Sequence, residues 1–107
     1  MNIDFEKIKK ECPKSFNEFK IYYSSKTDLV LDSIESEIIY NSCFCNFIEF
    51  FDENGIIIQI SYLVREKIYC FSIIINDSIY YNINDFKIRP EAQEASIYEA
   101  FKIMEGL

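Results

Sequence analysis

The sequence predicts an α+β fold in one domain spanning 1–107: N-terminal helices, a three-stranded antiparallel meander and a C-terminal amphipathic helix. Three observations predict it. Apolar residues recur at helical spacing as far as residue 53. Between 56 and 83 they alternate, or crowd into runs of strand formers, around short polar turns. A proline at 90 then opens a last stretch of helical spacing.

Phe5, Ile8 and Cys12 place a short helix within 3–12, and Pro13 ends it or starts a second one at its first position. Phe16, Phe19 and Tyr23 continue at the same spacing, and Ser24-Ser25-Lys26-Thr27 reads as a break. Leu31, Ile34 and Ile38 favour a helix over 28–40 with Asp28 in its first turn, although Glu35 and Glu37 near its end oppose the dipole. The run 42–53 fits a buried strand, with Asn54-Gly55 as a hairpin turn, or a helix that Gly55 caps in the left-handed conformation. Phe44, Phe47, Ile48 and Phe51 at i, i+3, i+4, i+7, with Ser42, Asn46, Glu49 and Glu53 opposite, favour the helix.

Residues 56–64 put Ile56, Ile58, Ile60, Tyr62 and Val64 on one face. Arg65-Glu66-Lys67 is a polar turn, 68–75 is rich in strand formers, Asn76-Asp77 fits a two-residue hairpin turn, and 78–83 completes the meander. In the last helix Ile97, Ala100, Phe101 and Met104 form the apolar stripe, Glu91 and Glu94 favour the positive end of the dipole, and Gly106 ends it.

Composition narrows function before any motif does. Half of the 107 residues are apolar, which argues against disorder. No stretch approaches the roughly 20 apolar residues of a membrane span, and no basic start leads into an apolar run, so a soluble cytoplasmic protein and no membrane partner are expected. Ile, Phe, Lys, Asn and Tyr make up half the chain, as codons of an A/T-rich genome would give.

Charge is unevenly placed. Residues 1–26 carry six Lys against four acids, whereas 27–107 carry five basic groups against fourteen. Between Lys26 and Arg65 there is no basic residue, while Asp28, Asp32, Glu35, Glu37, Glu49, Asp52 and Glu53 fall there. A net charge of −7 repels phosphate backbones, so direct nucleic-acid binding is not expected and a basic protein surface is the attracted partner. The plainer role of these acids is to keep an apolar protein in solution.

Histidine is absent, which removes the commonest general base and the usual nucleophilic triads. With glycine only at 55 and 106 there is no phosphate-binding loop or dinucleotide fingerprint. Glu18-x-Lys20 resembles a fragment of a metal-nuclease motif but falls on a predicted helix, and no spacing selects a pair from the eighteen acids. Cys43-x-Cys45 is tighter than zinc-ligand spacing, and Cys12 and Cys70 stand alone, so free thiols serving as small buried hydrophobes are expected, with no metal and no cofactor. The reading is of a protein that is not an enzyme and has no catalytic residues.

Eight tyrosines are informative. Tyr22, Tyr23, Tyr40, Tyr62, Tyr69, Tyr80 and Tyr81 cannot all be buried with satisfied hydroxyls in a domain this small. They either finish sheet edges as ordinary strand residues or offer a face to another protein, where Tyr is favoured.

Residues 47–58 (Phe-Ile-Glu-Phe-Phe-Asp-Glu-Asn-Gly-Ile-Ile-Ile), the run Cys12-Pro13-Lys14-Ser15-Phe16, and 89–105 with Arg89, Glu91-Ala92-Gln93-Glu94-Ala95, Ala100-Phe101 and Ile103-Met104-Glu105 resemble small uncharacterised proteins of bacteriophages and prophages. About a third of the chain takes part, and residues 24–42 do not. The resemblance implies a phage setting and brings no catalytic residue with it. Together with the charge it implies a non-enzymatic protein that binds and inhibits a host protein. Its most concrete form is an anti-CRISPR-type inhibitor covering the basic nucleic-acid-binding channel of a CRISPR nuclease. The binding residues would be Asp28, Asp32, Glu35, Glu37, Tyr40, Glu49, Asp52 and Glu53. The alternative is a structural or accessory phage protein that self-assembles as a homo-oligomer through exposed apolar residues.

Overall fold

Asp4 begins the first helix by accepting the Lys7 amide on Oδ1 at 3.1 Å, which satisfies one of the free N–H groups of α1 (Phe5–Glu11). This computed structural model describes residues 2–106; the side chains of Leu31, Asp32, Tyr80, Tyr81, Asn82 and Asn84 lie outside that description. Pro13 sits in the first turn of α2 (Pro13–Thr27), where its missing N–H costs nothing. The preceding Cys12 gives no side-chain cap. The cap comes from the far end of the chain: the Glu105 carboxylate accepts the Ser15 amide at 2.8 Å, the Lys14 amide at 3.3 Å and the Ser15 hydroxyl at 3.0 Å. The buried Ser15 Oγ also reaches the Phe101 carbonyl at 3.1 Å.

The expected break at 24–27 is helical instead. Ser25 and Thr27 return their hydroxyls to the carbonyls of Tyr22 and Tyr23, each at 2.7 Å, so these polar side chains bond within the helix they were expected to end. Asp28, at φ 58°, is the left-handed C-cap of α2 and not part of the next helix. That helix, α3 (Leu31–Asn41), starts later than 28 and buries Ile34 and Ile38.

α4 (Phe44–Glu53) settles the choice at 42–53 in favour of helix. Cys43 and Asn46 form a reciprocal cap, with the Cys43 amide on Asn46 Oδ1 at 2.7 Å. Gly55, at φ 76°, closes the helix as expected. Phe50 is buried with Phe47 and Phe51, a wider apolar face than the predicted stripe, while Phe44 and Ile48 are half-buried.

The sheet has strand order β1-β2-β3, with β1 Ile56–Leu63, β2 Ile68–Ile75 and β3 Ser78–Phe86. Asn76 and Asp77 both have positive φ, 54° and 62°, the signature of the expected two-residue turn. Val64 falls in the preceding turn, outside the strand. β3 runs past the expected end at 83. Irregularities opposite Tyr69/Cys70 and Ile73/Ile74 add residues to it and bring Phe86 opposite Tyr69, with its ring 5.8 Å from that of Phe71.

Register sorts the two faces. Ile58↔Ile73 and Ile60↔Phe71 point inward, whereas Ile57↔Ile74, Gln59↔Ser72, Ser61↔Cys70 and Leu63↔Ile68 point outward. α4 covers the inner face at β1, and α5 (Arg89–Glu105) lies across all three strands. α2 packs on α4 and α5 from the side away from the sheet, flanked by α1 and α3. Ile97, Ala100 and Phe101 are buried as predicted, Ala92 and Ser96 join them, and Gly106 at φ 89° ends the helix.

Where the layers meet, the core is aromatic. Phe19 and Phe47 stack at 4.5 Å and 12°, and Phe101 meets both edge-on at 6.0 and 6.2 Å.

Two outcomes follow. Phe101→Ala removes the shared ring and costs about 3–5 kcal/mol; Ile58→Ala and Ile73→Ala cost about 2–5 kcal/mol, and the half-buried Ile60→Ala less, in chemical denaturation. The amides of Ser15 and Lys14 and the Ser15 hydroxyl hold the Glu105 carboxyl below its ordinary value, against a smaller upward effect of burial. A depressed folded value gives stability that is present above the ordinary carboxyl range and lost as pH falls through the depressed one. Glu105→Gln therefore lowers the melting temperature at neutral pH, and the gap to wild type closes in acid.

Candidate functional site

The acidic residues come from two helices and the loop before them, and helical geometry disperses them. Glu35 and Glu37 are two positions apart on α3, so they point roughly 200° apart around it. Glu35, half-buried, turns toward α1 and pairs with Lys9 at 3.0 Å, an ion pair that raises the Lys9 ammonium above its ordinary value. Glu37, also half-buried, acts on Tyr23, whose hydroxyl is raised first by burial and then by this carboxylate. Asp32 lies on α3 with its side chain outside the described residues.

On α4, Glu49, Asp52 and Glu53 fall at i, i+3 and i+4 and are exposed on one face. α2 runs beside them. The Tyr22 hydroxyl donates to Glu49 at 3.2 Å, and Lys26 lies 3.7 Å from Glu53 and 5.4 Å from the centre of the Tyr22 ring. Burial, then the hydrogen bond to Glu49, pushes the Tyr22 hydroxyl up to about 12. Asp28 caps α2 two residues beyond Lys26, at the same end. Lys26 thus pairs with Glu53, on the face of α4 that also carries Glu49 and Asp52, Asp28 follows it by two residues, and Glu35 pairs with Lys9 instead.

Tyr40, 82% exposed, has the most open tyrosine ring among those described. It lies near the end of α3, four residues before α4 begins, and so on a different helix from Asp52 and Glu53. Tyr23 is buried, Tyr22 and Tyr69 are half-buried, and Tyr62 is exposed; the side chains of Tyr80 and Tyr81 lie outside those described. Among the described residues the tyrosines do not make one open face: Tyr40 stands by itself, and Tyr62 lies against Tyr69.

Tyr62 and Tyr69 face each other across β1 and β2 at 4.8 Å, with the Arg89 guanidinium 5.5 Å over Tyr69. Phe44 and Gln93 complete a groove of about 320 Å³ there. Sequence reasoning missed this grouping: the expected turn at Arg65-Glu66-Lys67 would set Tyr62 opposite Cys70, and it is Val64 joining the turn that sets Tyr62 opposite Tyr69. A second cleft, about 310 Å³, lies between α1 and the start of α5, where Lys7 covers the Tyr98 ring at 4.4 Å and Glu94 accepts the Asn2 amide. The Tyr98 hydroxyl donates to Glu11 at 2.9 Å, and burial followed by this bond pushes it up to about 12.

All four cysteines are free thiols, but they are not all small core residues. Cys12 and Cys70 are buried, whereas Cys43 and Cys45 are exposed at the start of α4 because the capping position and the position after Phe44 face water. Among the described residues no group of three or more Cys, Asp or Glu converges as metal ligands would. No helix among them is long and apolar enough to cross a membrane. No family model matches the chain, and no curated protein and no solved structure matches it.

Burial raises the Cys12 thiol first, and the Glu105 and Glu11 carboxylates add to it. A thiol reagent applied to the native protein modifies Cys43 and Cys45 quickly, while Cys12 and Cys70 react only on unfolding. Four fast thiols in the native state would contradict the burial.

Proposed function

We propose that this chain is a non-enzymatic binding protein that docks on a basic surface of another protein through the exposed side of α4 and inhibits that partner by covering the surface. One observation supports the reading above others: Glu49, Asp52 and Glu53 share one exposed face of α4, with Lys26 beside Glu53 and Asp28 two residues beyond that lysine, and Tyr40 is the most open tyrosine described, near the end of the preceding helix α3. Exposed acids raise the encounter rate with a basic partner, and an open Tyr supplies contact area at low entropic cost. The resemblance to phage and prophage proteins narrows the partner to a host protein in the bacterial cytoplasm. A CRISPR nuclease, whose nucleic-acid channel is basic, is the most concrete candidate. In that reading Glu35 and Glu37 contribute less than the sequence suggested, because Lys9 is paired with one and the other is half-buried, less open than the acids of α4.

The experiment is affinity capture from host cells with mass spectrometry, followed by kinetics against the captured protein at two ionic strengths. Asp52→Asn with Glu53→Gln slows association several-fold at low salt, and the difference shrinks as salt rises, because exposed charges are screened over about 8–10 Å. The melting temperature stays close to wild type, since exposed ion pairs contribute little. Tyr40→Ala speeds dissociation instead. Equal association rates for the charge variant and wild type at low salt would remove the acidic end of α4 from the interface.

A further inference from the structure

The inward series of the β1–β2 pair, Ile58↔Ile73 and Ile60↔Phe71, ends in Tyr62↔Tyr69. Tyr62 is nevertheless 46% exposed. The groove beside it is closed only by the first turns of α4 and α5, through Phe44, Arg89 and Gln93. Three rings thus line the groove, the Gln93 amide adds a polar group, and Arg89 carries the one charge among the described residues there.

That cation stands without an acid, in a chain with eighteen acids against eleven bases. Elsewhere a cation over a tyrosine shares the ring with a carboxylate. Lys26 lies over Tyr22, whose hydroxyl donates to Glu49; Lys7 and Lys102 lie over Tyr98, whose hydroxyl donates to Glu11. Arg89 over Tyr69 repeats the arrangement without the carboxylate. Among the described residues no ion pair reaches Arg89, and no hydrogen bond engages its guanidinium, the Tyr62 and Tyr69 hydroxyls or the Gln93 side chain.

We propose that this groove binds a small aromatic monocarboxylate, with the carboxylate on the Arg89 fork and the ring against Tyr62, Tyr69 and Phe44. A guanidinium already held over a tyrosine loses less freedom when it takes both oxygens of a carboxylate. Water alone satisfies the polar tips but leaves the rings wetted, whereas an aromatic acid satisfies both. The volume, about 320 Å³, is at the small end of the roughly 300–1,000 Å³ of small-molecule sites, so the ligand is one ring with a short acidic arm. A chain at −7 resists a second negative charge, which favours a carboxylate over a phosphate ester. Phe44 begins α4 and Asp52 and Glu53 end it, so the site is separate from the acidic docking surface.

Heteronuclear NMR of the isotope-labelled chain, titrated with phenylacetate, tests this. Phenylacetate shifts the Arg89 Nε–H and the Gln93 side-chain amide with about millimolar affinity, as a ligand of about ten heavy atoms allows. Phenylacetamide, of the same shape without the charge, and acetate, without the ring, each bind about tenfold more weakly. Phenyl phosphate also binds more weakly than phenylacetate. Arg89→Gln abolishes the preference for the acid over its amide. Tyr62→Ala weakens both and leaves their ratio unchanged. Both side chains are exposed, and circular dichroism checks that the fold is kept. Absence of any shift at Arg89 and Gln93 at tens of millimolar phenylacetate overturns the proposal. Equal affinity for acid and amide in the wild-type chain, or an Arg89→Gln chain that keeps the preference, overturns it too. A phosphate ester that binds tighter than the carboxylate overturns the choice of anion.

Discussion

The phenyl ring of Phe101 is the constraint on which the arrangement of the helices depends. Five rings approach it, Phe16 and Phe19 from α2 and Phe47, Phe50 and Phe51 from α4, at centroid distances of 5.0 to 6.3 Å. Edge-to-face rings are favourable over a limited set of angles, so one ring shared among five fixes the helices that bear them more tightly than aliphatic packing would. The same helix lies on the sheet. Its small buried residues Ala92, Ser96 and Ala100, one turn apart, let it approach its neighbours closely. Glu105, one turn beyond Phe101, reaches the uncapped start of α2 because the ring contacts bring the two helix ends together. The cap is a consequence of the core, and it closes a loop of 90 residues at the point where closure costs most.

That core also determines where charge can stand. With α2 and α4 turned inward by their phenylalanines, Lys26, Glu49 and Glu53 are left on the flank where the two helices run side by side. Of the lysines in the first 26 residues, Lys26 reaches this flank and pairs with Glu53, while two others are engaged elsewhere. Lys9 is held by Glu35, and Lys7 sits over Tyr98. The acidic end of α4 thus owes its charge to geometry as much as to composition. Of the acids in the stretch without a cation in sequence, Glu49, Asp52 and Glu53 share one exposed face, while Glu35 is engaged by Lys9.

What was legible in the sequence follows how local the determining physics is. The helices built on Phe16/Phe19 and Phe44/Phe47/Phe51 announce themselves by spacing, and the hairpin at Asn76-Asp77 by turn chemistry, since each depends on neighbours within one or two turns of chain. Ser24–Thr27 misled because the same hydroxyls that break helices in isolation bond back to carbonyls once tertiary packing holds the helix. The end of β3 was missed because the bulges that carry Phe86 to Phe71 respond to packing, which no strand period encodes. The cap of α2 by Glu105 was invisible for the same reason. In the candidate site, the charge bias was plain, but its division was not. Separating Glu35 from Glu49 requires knowing that Lys9 of α1 reaches α3, which depends on how both helices pack on α2.

The outer sheet face shows a further limit. Alternation in β1 marks Ile56, Ile58 and Ile60 as one face, and Ile57 and Leu63 then look like exceptions on the side of Gln59 and Ser61. Only the register, which aligns Ile57 with Ile74 and Ile79 across three strands, turns three unremarkable residues into a surface. The helices that bury the inner face also fix which surface is left, and they put it on the side of the sheet away from α2 and the acidic end of α4.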